Sequence, residues 1–457
     1  MYRSQVNTPI KIKYFVALIN FVVLSVKKYL FLSKKKNKLD LKMNFVNRKI
    51  INKIKAFLNY KEAILIYGAR QVGKTTIIKI LIEHLQNEGQ SKNSIFYFDL
   101  EDLDYLNIFN QGIESVKNYI DARTDYKGKI YLYVDEIQYL ENASSFIKLL
   151  VDNYSEKFKL IASGSSVIGI KSKITQSLVG RVVTFEVFGL DFEEFLWFKN
   201  KKINIQKVND LKSEKELKEL FNEFTIYGFY PRIAKISKIA EKKYYLKELI
   251  QTYIKKDIKD IGKIRNIIKF NNFLRILADR AGNLINIDSL SVDAGIARET
   301  VYDYLMLLEN TYIIAFLRPY YKNLRSELIK MPKIYFLDNG VLNYLKYNDV
   351  VEKISGDLFE NIIFSELRKT FDREKIKFWR TQAKNEVDFI IETGNEFLTI
   401  EAKKSYAGEY LKDLNYFASR YSRVKKILIT LDRKKTGKKD INVIYPWEIR
   451  NYYSDGS

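Results

Sequence analysis

The chain has 457 residues, 47% of them hydrophobic and 14% aromatic, a formal net charge of +23, no cysteine and a single histidine, His84. That length predicts two to four domains rather than one core, and the apolar content argues against extended disorder. The missing cysteines exclude disulfides, thiol nucleophiles and cysteine zinc sites, and any Ser-His-Asp centre would have to use His84, so chemistry falls to carboxylates, Lys, Arg, hydroxyls, backbone amides and hard metal ions.

The charge is unevenly placed. Residues 1–60 hold 14 Lys/Arg and one acid, Asp40, whereas the remaining 397 residues carry only +10. The excess therefore describes a leader, residues 1–42, more than the folded chain. Within it Tyr14–Val26 is apolar apart from Asn20 and Ser25, then Lys27 and Lys28 interrupt. Thirteen helical residues span about 20 Å, short of the roughly 30 Å hydrocarbon core. The leader reads either as an uncleaved membrane anchor or as an amphipathic or artefactual extension, with Met43 an alternative start. A cytoplasmic location is expected.

From Met43 the pattern turns α/β, and residues 43–190 read as one domain. Apolar strands are predicted at Ala63–Tyr67, Ser94–Leu100, Lys129–Val134 and Phe158–Ala162, separated by helical segments, which is the signature of a parallel sheet covered on both faces. The first strand runs into Gly68-Ala69-Arg70-Gln71-Val72-Gly73-Lys74-Thr75, followed by Thr76 and a helix, Lys74–Leu85. Glycines at this spacing let backbone amides curl around phosphate oxygens, and the helix adds its positive end. Lys74 is placed to reach the β and γ phosphates of ATP, and Thr75 to ligate magnesium. Tyr131–Val134 closes on Asp135 and Glu136, the first a magnesium ligand on a strand expected beside the P-loop strand, the second positioned to polarise an attacking water. Ser163 ends the fourth strand, where a polar side chain can sense the γ phosphate. Arg181, in Leu178-Val179-Gly180-Arg181, reads as an arginine finger acting in cis or in trans within a homo-oligomer, or as a surface ion pair.

With GARQVGKTT, VDEIQ, ASGSS and LVGR, residues 45–200 resemble a prokaryotic AAA-type ATPase family, in which the ATPase is followed by a domain of unknown function related to restriction endonucleases. The resemblance extends to Tyr227-Gly228-Phe229-Tyr230-Pro231 and Lys333-Ile334-Tyr335-Phe336-Leu337-Asp338.

Residues 191–320 read as a helical connector containing a winged-helix-like segment. A helix ends near Gly282, a short helix Ser289–Ala294 turns at Gly295, a longer helix spans Arg298–Asn310, and a strand follows. From Asp288 to Asn310 there are five acids and one base, Arg298. Duplex binding neutralises phosphates, so a structural or protein-contact role is expected of this segment rather than DNA binding.

Residues 321–457 read as helix Leu358–Phe371, strands Ile376–Arg380, Glu386–Ile391 and Phe397–Ala402, helix Glu409–Arg420 and strand Lys425–Thr430. This αβββαβ order resembles the PD-(D/E)XK nuclease core, whose acidic triad falls on Asp388 and Glu401-Ala402-Lys403. A turn between Gly394 and Asn395 sets Asp388 opposite Glu401 and Glu386 opposite Lys403, leaving Val387, Phe389 and Ile391 on an apolar face. Facing carboxylates repel unless a cation joins them. Magnesium held by Asp388 and Glu401, with Lys403 positioning a water and Glu360 adding a ligand, would make a nuclease centre acting on DNA. The alternative is an ordinary polar face neutralised by Lys403 and Glu386, on a non-cleaving regulatory or scaffolding ATPase whose C-terminal domain binds nucleic acid or protein.

Overall fold

The computed structural model describes residues 45–164, 178–205, 208, 210–262, 264, 266–321, 331–394, 396–405, 411–432 and 440–452. The leader and the residues just after Gly164 lie outside them. Among the described residues no helix is long and apolar enough to cross a membrane.

The first half comprises α1 (Lys49–Lys55), β1 (Ala63–Gly68), α2 (Lys74–Asn87), β2 (Ile95–Asp99), α3 (Leu103–Asn110), α4 (Ile113–Asp121), β3 (Ile130–Asp135), α5 (Ala143–Tyr154), β4 (Phe158–Gly164) and β5 (Val182–Val187). The strands form a five-stranded sheet in the order β2-β3-β4-β1-β5, every pair parallel. Strands β1, β3 and β4 are buried along their whole length, as expected of apolar runs covered on both faces. Two points correct the sequence reading. The Asp135 strand does not lie beside the P-loop strand, because β4 stands between them. A fifth strand, β5, flanks β1 on the other side.

The connector contains α6 (Phe192–Phe198), α7 (Leu211–Tyr227), α8 (Pro231–Lys235), α9 (Ile239–Gly262), α10 (Ile267–Asp279), α11 (Ile287–Ala294) and α12 (Arg298–Asn310). The last three have the predicted winged-helix order, with Gly295 at φ +60° ending α11. The strands that follow, β6 (Ile314–Pro319) and β7 (Lys333–Phe336), do not form a free wing. They pair antiparallel with each other, and β6 joins the strand Ile376–Arg380.

The remaining elements are α13 (Asn339–Tyr347), α14 (Gly356–Thr370), β8 (Ile376–Arg380), β9 (Glu386–Thr393), β10 (Glu396–Ala402), α15 (Leu411–Arg420), β11 (Val424–Ile429) and β12 (Ile441–Ile444). They build a seven-stranded sheet in the order β12-β11-β10-β9-β8-β6-β7. The sheet thus crosses the expected division at residue 320, since β6 and β7 lie on either side of it.

The described residues from Val46 onward pack as one compact unit. One apolar core runs from Ile64 and Ile66 of β1, through Phe192, Phe221 and Phe224 of the connector, to Phe364, Phe389 and Ile400 of the second sheet. Ion pairs tie the same parts together: Asp191 binds Arg450 at 2.8 Å and Glu186 binds Arg368 at 2.9 Å. Burial raises the Asp191 pKa, but Arg450 and Lys49 outweigh it and hold the carboxyl down to about 2.

Candidate functional site

Strand β1 delivers the chain into the glycine loop at its carboxyl end. Gly68 has φ +151° and a Cβ there would lie 2.0 Å from the Val187 carbonyl oxygen, so the loop leaves the sheet against the backbone of β5. Gln71 and Gly73 also have positive φ, +61° and +100°. Lys74 Nζ donates to the Gly68 and Ala69 carbonyls at 3.0 and 2.8 Å, so the ammonium lies inside the loop. Behind the loop the buried Arg48 donates to Val72 O at 2.9 Å and pairs with Glu194 at 3.0 Å.

Thr75 Oγ1 donates to Asp135 Oδ2 at 2.6 Å, and Ser163 Oγ, on the intervening β4, donates to Asp135 Oδ1. Tyr97 adds a hydroxyl to Asp135 Oδ2 at 3.1 Å; burial, then Asp135, raises the tyrosine's pKa. Thr75 and Asp135 therefore offer two hard oxygens together at the mouth of the loop, a donor set that fits magnesium. Glu136 follows with φ +54° and accepts from Gln138 Nε2. A non-glycine residue held in the left-handed region is strained, and such strain gathers at functional sites.

A cleft of about 640 Å³ opens over these residues, lined by Arg70, Lys74, Thr75, Glu136, Arg232 and Tyr245 among others. Arg232 and Tyr245 come from α8 and α9, and no sequence period pointed to them. The available signal was position, since Arg232 directly follows the Tyr227–Pro231 motif. The Arg232 guanidinium lies 4.5 Å from the Tyr245 ring centre, and the Tyr245 hydroxyl donates to Gln71 Oε1 in the loop.

Arg181 lies elsewhere. Its carbonyl accepts from Ala63 N at 2.9 Å, so it sits at the amino end of β1, whereas the loop leaves the carboxyl end. Its side chain pairs with Asp152 at 2.7 Å. Within one chain Arg181 does not face Lys74, which removes the cis finger. His84 is on α2, 4.0 Å from Glu88, away from any cluster.

The C-terminal carboxylates converge as the hairpin register requires, with two differences. Strands β9 and β10 pair Ile391 with Leu398 and Phe389 with Ile400, the predicted register, but the ladder stops before Asp388 and Glu401. Asp388 Oδ2 instead accepts from Ala402 N at 3.0 Å, and Lys403 Nζ bridges Asp388 at 2.8 Å and Glu401 at 2.7 Å. Glu386 does not partner Lys403; it pairs with Lys333 at 2.5 Å and Arg380 at 3.0 Å. Glu360 on α14 accepts from the Tyr335 hydroxyl at 2.6 Å. The cluster is no surface feature, since Asp388 and Glu401 are 5% and 7% exposed.

Burial, reinforced by Asp388, pushes the Glu401 carboxyl up to about 8, and the same two causes raise Glu360. Burial opposes the charge on Lys403, but Asp388 and Glu401 outweigh it and hold the ammonium above its usual range. Glu401 Oε2 is buried without a hydrogen-bond partner, which adds to the cost of placing charge on this carboxyl. Among the described residues no three acidic or histidine side chains are grouped to hold a metal ion. Lys403 stands where a cation would join Asp388 and Glu401, so the residues as arranged fit an ammonium and not magnesium.

Three family descriptions match the chain: an AAA domain over residues 60–196, a domain of unknown function (DUF8612) over 218–352, and another (DUF4143) over 355–449. The last two divide the chain near residue 353. Similar proteins include uncharacterized protein MJ1544 of Methanocaldococcus jannaschii, 30% identical over 335 residues, covering 72% of this chain and 71% of that one. Uncharacterized protein MJ1637 of the same organism is 26% identical, covering 85% and 84%. Among solved structures, the Walker-type ATPase PABY2304 of Pyrococcus abyssi has a TM-score of 0.45 at 14% identity, covering 67% of this chain and 97% of that one.

Proposed function

Because the chain belongs to the family of MJ1544, with an AAA-type ATPase domain followed by domains of unknown function, we propose that it is a magnesium-dependent ATP hydrolase. One observation carries this reading. Thr75 and Ser163 both donate to Asp135 at the mouth of a glycine loop that holds Lys74, with Glu136 one residue beyond Asp135.

The loop amides from Ala69 to Thr76 would cradle the phosphates, and Lys74 would exchange its loop carbonyls for β and γ phosphate oxygens. Thr75 and Asp135 would hold magnesium, which supplies charge neutralisation at those phosphates when bound. Glu136, steadied by Gln138, would orient the attacking water and take its proton. Ser163 would report the γ phosphate to Asp135. Arg181 is open to a trans role in a homo-oligomer, 33% exposed and remote from its own loop.

For the C-terminal half we favour the non-cleaving reading, a module that binds nucleic acid or protein and whose nuclease-like cluster is closed by Lys403. Steady-state ATP turnover with magnesium tests the first reading. Lys74→Ala should abolish turnover, and Glu136→Gln should lower kcat by about 10²-fold or more while ATP still binds. Turnover unaffected by both would sink it. Magnesium-dependent DNA cleavage lost in Glu401→Ala would overturn the non-cleaving reading and restore the nuclease.

A further inference from the structure

A phosphate cradle works only if its backbone amides turn inward, and something must hold the peptides in that attitude. In a planar trans peptide the C=O and the N–H point in opposite directions. The Val72 carbonyl and the Gly73 amide share one such peptide, so the group that holds the carbonyl aims the amide. Arg48 holds it, Nη1 donating to Val72 O at 2.9 Å. Val72 and Arg48 are 2% and 6% exposed, which leaves water little access to that carbonyl.

The same guanidinium reaches two further elements. Its Nη2 donates to Phe188 O at 3.0 Å, just after β5, and its Nε pairs with Glu194 of α6 at 3.0 Å. Glu194 is itself fixed, because Oε1 accepts from Lys49 N at 2.8 Å and the residue forms a reciprocal cap with Asp191. The rigid planar fork of an arginine suits this task, since one group serves several acceptors at set angles.

Support for this stretch comes from the other half of the chain. Glu366 Oε2 of α14 accepts from Phe192 N, the first residue of α6, at 3.1 Å. Lys369 Nζ donates to Leu190 O at 2.8 Å and pairs with Glu366 at 2.8 Å. Arg48, Lys369 and Glu366 thus hold alternate residues, Phe188, Leu190 and Phe192, by their backbone atoms. Apolar packing would merely cover such a stretch, whereas these bonds fix its path. Helix α14 lies on the second sheet, where its Phe364 packs on Phe389 and its Glu360 accepts from Tyr335.

We infer that Arg48 is a positioning residue that aims the Gly73 amide at the phosphates of ATP, and that Glu366 and Lys369 of the C-terminal half hold the stretch on which Arg48 is set. This rests on the ATPase reading above. The nucleotide loop is completed by a helix of the second sheet. A change at the carboxylate–lysine cluster, which Glu360 of the same helix adjoins, then acts on ATP affinity more than on the chemical step.

The test is a calorimetric Kd for ATP with magnesium, together with kcat, on the full chain and its variants. A cradle amide serves ground state and transition state alike, so Arg48→Met should raise Kd by about tenfold or more with kcat moved less than about threefold. Arg48→Lys keeps a charge beside Glu194 but lacks the second arm. It should raise Kd by about fivefold without a matching fall in melting temperature, and it decides if Arg48→Met does not fold. Glu366→Leu should raise Kd by about threefold or more, and combined with Arg48→Lys it should add nothing, because it acts through Arg48. Lys369→Met, expected to act alike, stands in should Glu366→Leu not fold. A merely structural Glu366 would lower the melting temperature and leave Kd alone, which overturns the link to the C-terminal half. Arg48→Lys within about twofold of the wild-type Kd overturns the inference as a whole. ATP bound but never turned over by the wild type sinks only the ATPase reading, whereas a wild type that binds no ATP sinks both.

Discussion

Replacing Glu401 by glutamine should stabilise the protein at alkaline pH. The carboxyl is pushed up to about 8 from the usual 4.5 by burial and by Asp388. A folded-state pKa above the unfolded one means that Glu401 contributes fully below pH 4.5. That contribution is lost progressively as pH rises through 8. At about 1.4 kcal/mol per pH unit the gap corresponds to at most roughly 5 kcal/mol, the opposing Lys403 contact at 2.7 Å included. Glutamine keeps the size and imitates the protonated acid without the charge. For a unit of this length that energy is worth at most roughly 6 °C in melting temperature. Thermal melts of both proteins from pH 4.5 to 9 should coincide at the acidic end, diverge as the pH rises toward 8 and stay apart above it, the variant melting higher. A variant that melts lower at pH 9 would show that the folded state favours the ionised Glu401 paired with Lys403. The raised carboxyl pKa would then be refuted.

Two further outcomes follow from buried groups in the ATPase half. Lys159 on β4 is fully buried and donates to Phe57 O, Tyr60 O and Glu62 O at 2.7, 2.8 and 2.6 Å. Lys159→Met strands these carbonyls and should cost about 3–5 kcal/mol, seen as a lower midpoint in urea at unchanged slope; a midpoint unmoved would mean that water replaces the ammonium freely. Gly68→Ala drives a Cβ into the Val187 carbonyl and should abolish ATP-induced thermal stabilisation, which retained stabilisation would contradict.

The nucleotide loop was legible because its chemistry is local. Glycines, Lys74 and Thr75 stand within eight residues, and each does its work through backbone neighbours. Strand order was not legible. Parallel strands joined by helices look alike in sequence, so nothing said that β4 would separate Asp135 from β1. Strand β5 was missed because Thr184 is exposed and Glu186 only half-buried, which hides the apolar run of an edge strand. The β9–β10 register was legible, since a slip by one residue would have turned Val387, Phe389 and Ile391 out of the core. The pairing of Lys403 was not, because it depends on where the ladder stops. Phe229 and Asp338 are 109 positions apart in the chain, yet the amide of one donates to the carboxylate of the other. Their relation exists only once α7 and α13 pack, and no sequence window spans both.

The apolar core shared by the two sheets and the connector has a consequence for how such a chain could change over generations. The matched segments end and begin near residues 196, 218, 352 and 355, yet Phe192, Phe221 and Phe389 belong to one buried cluster. Borders drawn by sequence likeness therefore fall inside shared packing. An exchange of either half between relatives would have to carry its complementary surface with it.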